Sequence, residues 1–377
     1  MRYFTFLAIT CIILSCQGKN NSHEAYNLLY SVDTIIIESN TRLLDLKRGI
    51  WISDLNDEES SINLYNSFNH SIDDVNLDRL EIASNLSFEI EGPDGTGEHV
   101  NSFNLLKNGL LFIKSFNKSA IFKTNGQLLK KIDWMNAIDT KGLKYGEIPR
   151  NEMAIGNGEL NIFGLNYNNR SREVFLDVLS VEKNLVERYD IDAEKSYQNF
   201  VLAYDDPKFR TFLDPYVFMS SENNLAIISH QYSNEVFVFN FEGKLLQTVH
   251  YEPKMTPKRA RDLSGMNITS NEQIQNEYQK LLEQVRFGPP VWDRLKKRYL
   301  RLSAKRVFSE IRKEDSLLPE IEDVTVYLSI FDEAFNLISE SAIPELNTEF
   351  VKYFAKDGKL WVFQNFSDEL GFIVIDI

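Results

Sequence analysis

Two well-separated stretches, Phe122-Lys-Thr-Asn-Gly126-Gln-Leu-Leu129 and Phe239-Asn-Phe-Glu-Gly243-Lys-Leu-Leu246, carry one pattern: an aromatic residue, a polar turn ending in glycine, and a leucine pair. Glycine in that place supplies the positive φ of a tight reversal, and the flanking apolar residues anchor two antiparallel strands. Phe331-Asp-Glu-Ala-Phe-Asn-Leu-Ile338 keeps the spacing without the glycine, and residues 179–186 and 65–72 are weaker copies. In the last copy Asn69 takes the glycine position, where the left-handed region is open to Asn. A second signal recurs at Asn108-Gly109, Asn157-Gly158, Glu222-Asn223 and Asp357-Gly358, leading to Leu111, Leu160, Leu225 and Leu360, and reads as the hairpin joining a first strand to a second. Around residues 224–249 the two signals chain together, so each repeat is a four-stranded meander.

Repeats of this kind predict an all-β fold, a six-bladed β-propeller of four-stranded antiparallel blades. Taking the second strand of each repeat as a marker gives residues 50–52, 110–113, 160–163, 225–228, 299–302 and 360–363. A chain of 377 residues exceeds the roughly 250–300 that one ordinary core supports, and repetition resolves that excess. Thr34-Ile-Ile-Ile37 has no partner in its own repeat, and Phe372-Ile-Val-Ile-Asp-Ile377 has no successor. Pairing of 34–38 with 372–377 would close the ring and remove both free edges.

Residues 1–15 hold one basic residue, Arg2, and an apolar run far shorter than the ~20 residues that span a bilayer, which marks a secretory signal. It ends in Ile13-Leu-Ser-Cys16, which resembles the lipobox of bacterial lipoproteins. That resemblance implies lipidation of Cys16, residues 16–30 as a tether, and a single propeller domain over 31–377. No acidic cluster resembling the surface-export signals of some Gram-negative lipoproteins follows Cys16, and the lipobox resemblance then implies the outer membrane, facing the periplasm, as the expected location. Both cysteines fall before residue 17, leaving the remainder without disulfide, thiol nucleophile or thiolate metal site.

The longest connector, residues 252–298, is a helical insertion expected between blades four and five. Ser270 and Gln273 form a capping box, and Ile274, Tyr278, Leu281, Leu282 and Val285 share one helical face. Gly288-Pro-Pro290 stops the helix, after which residues 291–298 read as either a second helix or a hairpin. The signal with its lipobox, the repeated turns and the segment Phe287-Gly-Pro-Pro-Val-Trp-Asp-Arg-Leu-Lys-Lys-Arg-Tyr-Leu-Arg301 together look similar to an uncharacterised group of Gram-negative lipoproteins with a six-bladed-propeller-like domain. Leu300 and Pro290 depart from that pattern. The resemblance implies fold and envelope location over nearly the whole chain, and assigns no catalytic residue.

A net charge of -14 argues against nucleic-acid binding by phosphate neutralisation. The five histidines have no ligand spacing, so no metal is expected. No cofactor motif appears: Glu91-Gly-Pro-Asp-Gly-Thr-Gly97 lacks the Lys-Ser/Thr of a phosphate loop and reads as an interblade turn. Basic residues gather locally at Lys258, Arg259, Arg261, Arg294, Lys296, Lys297, Arg298, Arg301, Lys305 and Arg306. Arg294, Lys297, Arg298 and Arg301 are the candidate binding rim, because Arg forks match anionic groups. With the insertion they are expected over one mouth of the propeller. Trp51, Trp292 and Trp361 could stack on sugars, although 51 and 361 fall in expected strands and read as core. Two functions follow: a monomeric binding or scaffolding propeller recognising a protein or glycan through one face, or an enzyme acting on a polyanionic carbohydrate in the central channel. Convergent acids, His or Tyr beside the basic insertion would favour the enzyme.

Overall fold

The computed structural model describes residues 28–377 apart from 40–41, 48, 107–108, 117, 157–158, 206–209, 264–265, 314–315 and 348–350. The signal, Cys16, most of the tether, Asn108 and the Asn157-Gly158 turn therefore lie outside the described residues.

Six mainly antiparallel sheets follow one another in sequence as blades, and a separate two-stranded sheet, Leu202–Asp205 with Arg210–Leu213, lies in the connection between blades three and four. From inner to outer strand, blade one is Ser53–Leu55, Ser61–Asn66, Ser71–Asn76 and Glu81–Ser87. Blade two is Val100–Leu106, Leu110–Ser115, Ser119–Lys123 and Leu128–Lys131. Blade three is Asn151–Ile155, Asn161–Asn168, Glu173–Ser180 and Leu185–Asp190, with Ile138–Asp139 added in parallel at its edge. Blade four is Val217–Glu222, Leu225–His230, Val236–Phe239 and Leu245–Val249. Blade five begins with two short pieces, Arg286–Phe287 and Val291–Asp293, and continues through Arg298–Phe308, Ile321–Phe331 and Leu337–Ala342. Blade six is Tyr353–Lys356, Lys359–Phe366 and Glu369–Asp376, completed by Ser31–Ile36.

That last strand closes the ring in register, from Ser31 opposite Asp376 to Ile36 opposite Gly371. The pairing matches the expected one in partner and direction, with Thr34 opposite Ile373.

Period-two alternation buries each blade on both faces. In blade four Ala226, Ile228, Phe237 and Phe239 pack with Phe163, Leu165 and Val178 of blade three. The intervening Ile227, Val236 and Val238 pack with Tyr299 and Phe331 of blade five. The same arrangement gives one apolar cluster at every interface around the circle. Strands buried on both faces read as unbroken apolar runs, which is why Leu225-Ala-Ile-Ile228 stands out.

Blade one departs from the expected assignment. Residues 50–52 precede its inner strand, and the second strand is Ser61–Asn66. Ile50 is buried in the cluster between blades six and one, where an apolar run arises without a strand. The same one-strand shift affects residues 65–72, which join second to third strand rather than third to outer. There the positive φ belongs to His70, not Asn69. In the copy without glycine, Phe335 itself takes φ 62°, held by an Asp332 carboxylate that accepts from the Ala334 and Asn336 amides.

A meander sorts its connections by end. First-to-second and third-to-outer turns share one end of the ring, here the turn face. Second-to-third turns and interblade connections share the other, the loop face. Ser31 lies opposite Asp376 and Asp376 opposite Lys359, so the chain enters the ring on the turn face.

Candidate binding face

The helix Asn271–Leu282 lies in the connection between blades four and five. Ser270 Oγ accepts from the Gln273 amide at 3.1 Å, and Gln273 Oε1 accepts from the Thr269 amide at 2.9 Å, one residue before the partner of a standard capping box. Ile274, Leu281 and Leu282 are buried as the helical period requires and Tyr278 is half-buried, whereas the helix ends at Leu282, short of the expected stop at Gly288-Pro-Pro290, so Val285 is buried in the segment beyond it. Residues 291–298 form the hairpin alternative, pairing Val291 with Leu300 and Asp293 with Arg298.

This hairpin separates the basic residues from the helix. It is a first-to-second-strand turn, so Arg294 and Lys297 sit on the turn face while the helix sits on the loop face. Arg294 Nη1 donates to the Asp57 carbonyl at 3.1 Å, and Lys297 is exposed. Arg298 is half-buried against Asp293, Nε to Oδ2 2.8 Å. Arg301 is 1% exposed. Its guanidinium donates to the carbonyls of Gly288 and Asn234, both at 2.8 Å, and stacks over Phe287. A guanidinium has donors enough to bind several carbonyls at once, so Arg301 is an internal clamp between blades four and five. The four residues expected to form one rim are thus dispersed: two on the turn face, one in an ion pair, one in the core.

The inner strands bring together a different set. Asp54 Oδ2 accepts from the Leu105 amide at 2.8 Å, Asn104 Oδ1 from Ala154 at 3.2 Å, and Glu222 Oε2 from Trp292 at 2.9 Å. Each bond ties one blade's inner strand to the next. Lys352 Nζ donates to the Ser53 carbonyl at 3.3 Å between blades six and one. Burial pushes the Asp54 carboxyl up to about 6, against the opposing pull of Lys352 and two amides. Burial also pushes Glu222 up to about 7, countered by the Trp292 amide and Lys352 and reinforced by Asp54 and Glu59. Low dielectric around the axis is the common cause. No motif marks these residues, since Asp54, Glu222 and Lys352 meet only when the ring closes.

At the loop-face mouth, Trp51 and Tyr216 each precede an inner strand, of blades one and four, on opposite sides of the ring. They are 44% and 70% exposed, and Tyr216 stacks on Phe218. Trp51 is therefore not core, whereas Trp361 is buried as expected. Beside Tyr216, Asp214 accepts from Arg150 at 3.1 Å and from the Tyr197 hydroxyl at 3.0 Å. Tyr278 on the helix packs with Ile274 and Leu281 against Phe200, Leu202 and Tyr232, and its hydroxyl is pushed up chiefly by burial, with Arg306 and Arg286 opposing and Tyr216 and Asp214 adding to it.

No helix among the described residues is long and apolar enough to cross a membrane. No curated protein matches the chain. Among solved structures, a DUF4221 family member from Bacteroides vulgatus superposes with a TM-score of 0.58 at 11% identity, covering 92% of this chain and 96% of that one. A candidate exported protein from Bacteroides fragilis gives a TM-score of 0.49 at 8% identity, covering 92% and 95%. The family model described as domain of unknown function DUF4221 matches residues 25–342, and the chain belongs to that family.

Proposed function

We propose that this chain is a binding or scaffolding propeller, held at the cell envelope by a lipid on Cys16 and recognising a protein or glycan through its loop face. The observation that carries the reading is the pair of exposed aromatic residues, Trp51 and Tyr216, that precede inner strands at the loop-face mouth. Aromatic faces offer large contact area at low entropy cost to sugars and to polypeptides alike. Entry of the chain on the turn face supports the same orientation, because a tether there leaves the loop face pointing away from the membrane. The test is a titration of purified lipidated protein in detergent against neutral oligosaccharides, anionic oligosaccharides and envelope proteins. Trp51→Ala and Tyr216→Ala should each weaken the best ligand about tenfold, roughly 1.4 kcal/mol. Unchanged affinity in both variants counts against the mouth as the site.

The channel carboxylates favour a second reading, an enzyme acting on a polyanionic carbohydrate. Glu222 near 7 and Asp54 near 6 are suited to proton transfer at neutral pH, and Lys352 supplies a cation beside them. Turnover of such a polysaccharide that Glu222→Gln abolishes would establish it; turnover untouched by that change would remove it.

A further inference from the structure

The connection between blades one and two, residues 88–99, walls a surface groove of about 990 Å³ on the loop face. Its floor includes Phe88, His70 and Gly97, and its rim carries Glu89, Glu91, Glu98, Ile90 and Phe116. The wall is pinned at several points. Thr96 and Gly97 donate their amides to the carbonyls of Glu89 and Ile90 at 2.9 and 3.0 Å, and the Phe116 amide donates to the His99 carbonyl at 3.0 Å. His70 is fixed between the Tyr65 hydroxyl at 2.8 Å and Thr96 Oγ1 at 2.5 Å. Gly97 holds φ +93°, and a Cβ there would lie 2.7 Å from Ser115 Oγ, so the wall packs flush on blade two. A groove already formed spares a ligand the entropy of ordering it.

Its chemistry is one-sided. Glu89, Glu91 and Glu98 are exposed carboxylates, while Asp94 of the same connection accepts from the Leu128 amide at 2.9 Å. The nearby Lys118 ammonium is tied to the Gly95 carbonyl, and His99 lies 3.8 Å from Glu98. Phe116 is 78% exposed, and Ile90 is also exposed. Among the described residues no three acidic or His side chains converge closely enough to hold one metal ion. Three carboxylates on one groove lining with no metal-holding cluster among them suit several cations on one chain rather than a single ion.

We propose that this groove docks an extended polypeptide segment bearing Lys or Arg residues interspersed with apolar ones. The cations face Glu89, Glu91 and Glu98 while an apolar side chain packs on Phe116 and Ile90. An anionic ligand would meet like charge here. The site is separate from Trp51 and Tyr216, so it stands or falls independently of the aromatic mouth.

The experiment is fluorescence anisotropy of the lipidated protein in detergent with a labelled ten-residue peptide of alternating Lys and Leu, at low and high salt. A Glu-Leu peptide of equal length is the probe control. The Lys-Leu peptide should bind and weaken with salt, and the Glu-Leu peptide should not bind. Glu89→Gln/Glu91→Gln/Glu98→Gln should weaken binding at least thirtyfold and flatten the salt dependence. Phe116→Ser should weaken it about tenfold with the salt dependence kept. The protein control, Glu58→Gln/Glu242→Gln/Glu333→Gln on the turn face, should change nothing. Equal weakening by the two triple variants would reduce the effect to the protein's net charge and overturn the proposal. So would unchanged binding in the groove triple, or equal binding of the Glu-Leu peptide.

Discussion

Lys114 and Glu152 form the most enclosed ion pair among the described residues, and its removal tests how the blades are held together. Lys114 lies on the second strand of blade two and Glu152 on the inner strand of blade three, with Nζ 2.6 Å from Oε1 and side chains 2% and 0% exposed. The other carboxylate oxygen accepts from Trp134 Nε1 at 2.8 Å, so Glu152 is held at both oxygens while the Lys114 ammonium depends on Glu152 alone. Lys114→Met leaves a carboxylate buried without its cation, and Glu152→Gln leaves an ammonium in the same state while keeping the Trp134 bond. Each should cost about 3–5 kcal/mol, because desolvation that the partner had offset is now unopposed. The double variant Lys114→Met/Glu152→Gln buries no charge and should cost only about 1–2 kcal/mol, the scale of an imperfectly satisfied polar group. Urea unfolding at pH 7, followed by far-ultraviolet circular dichroism, measures all three. The expected coupling is several kcal/mol, with the double variant more stable than either single. Single variants within about 1 kcal/mol of the parent, or additive losses in the double, would falsify the claim that this pair works as a desolvated unit.

Glu222 sets a pH dependence. Its folded-state carboxyl is raised from 4.5 to about 7, so the folded protein holds that proton more tightly than the unfolded chain. The corresponding stability is full below about pH 4.5 and is lost as pH rises through 7. Glu222→Gln should therefore stabilise the protein by about 2 kcal/mol at pH 8, discounted for partial exposure, and by nothing at pH 4. Equal effects at both pH values in thermal melts contradict the assignment. Gly243 sits at φ +82°, and a Cβ there would come 2.6 Å from Val178 Cγ1 of blade three. Gly243→Ala should cost about 1–3 kcal/mol from conformation and crowding together, and a neutral result refutes it. Deleting Ser31–Ile36 removes the strand that closes blade six, at about 1 kcal/mol per ladder hydrogen bond, so the melting temperature should fall sharply. An unchanged melt would mean that closure contributes nothing. Cys16→Ser should release the protein from membranes and abolish palmitate labelling; retained labelling sinks the lipobox reading.

The blades most legible in the sequence were those whose second strands are buried on both faces. Leu110–Ser115, Asn161–Asn168, Leu225–His230 and Lys359–Phe366 all appear as apolar runs behind an asparagine or glycine turn. Ser61–Asn66 alternates buried with half-buried positions and interleaves Asn and Ser, so Ile50-Trp-Ile52 outcompeted it as a marker. The functional side chains were legible only as types. Closeness in sequence made Arg294, Lys297, Arg298 and Arg301 look like one patch, but a hairpin turns neighbours toward different surroundings within a few residues. Asp54 and Glu222 belong to distant repeats and converge only through ring closure, which period and turn chemistry specify without saying what lies at the axis.

A common fold at 11% identity is understandable from the same physics. Each interface needs alternating apolar residues on two facing sheets, and many combinations of Val, Ile, Leu and Phe meet that need at similar volume. The turn face is constrained more tightly, because Gly243 must be positive in φ and Ser31 must meet Asp376 there. Constraint is weakest in the interblade connections of the loop face, among them residues 88–99, the two-stranded sheet of Leu202–Asp205 with Arg210–Leu213, and the helix Asn271–Leu282. Those connections build the groove, support the aromatic mouth and carry the helix. The part of the molecule free to vary without unfolding the ring is therefore also the part that presents Phe116, Trp51 and Tyr216 to solvent, and recognition can diverge across the family there while the six interblade clusters stay intact.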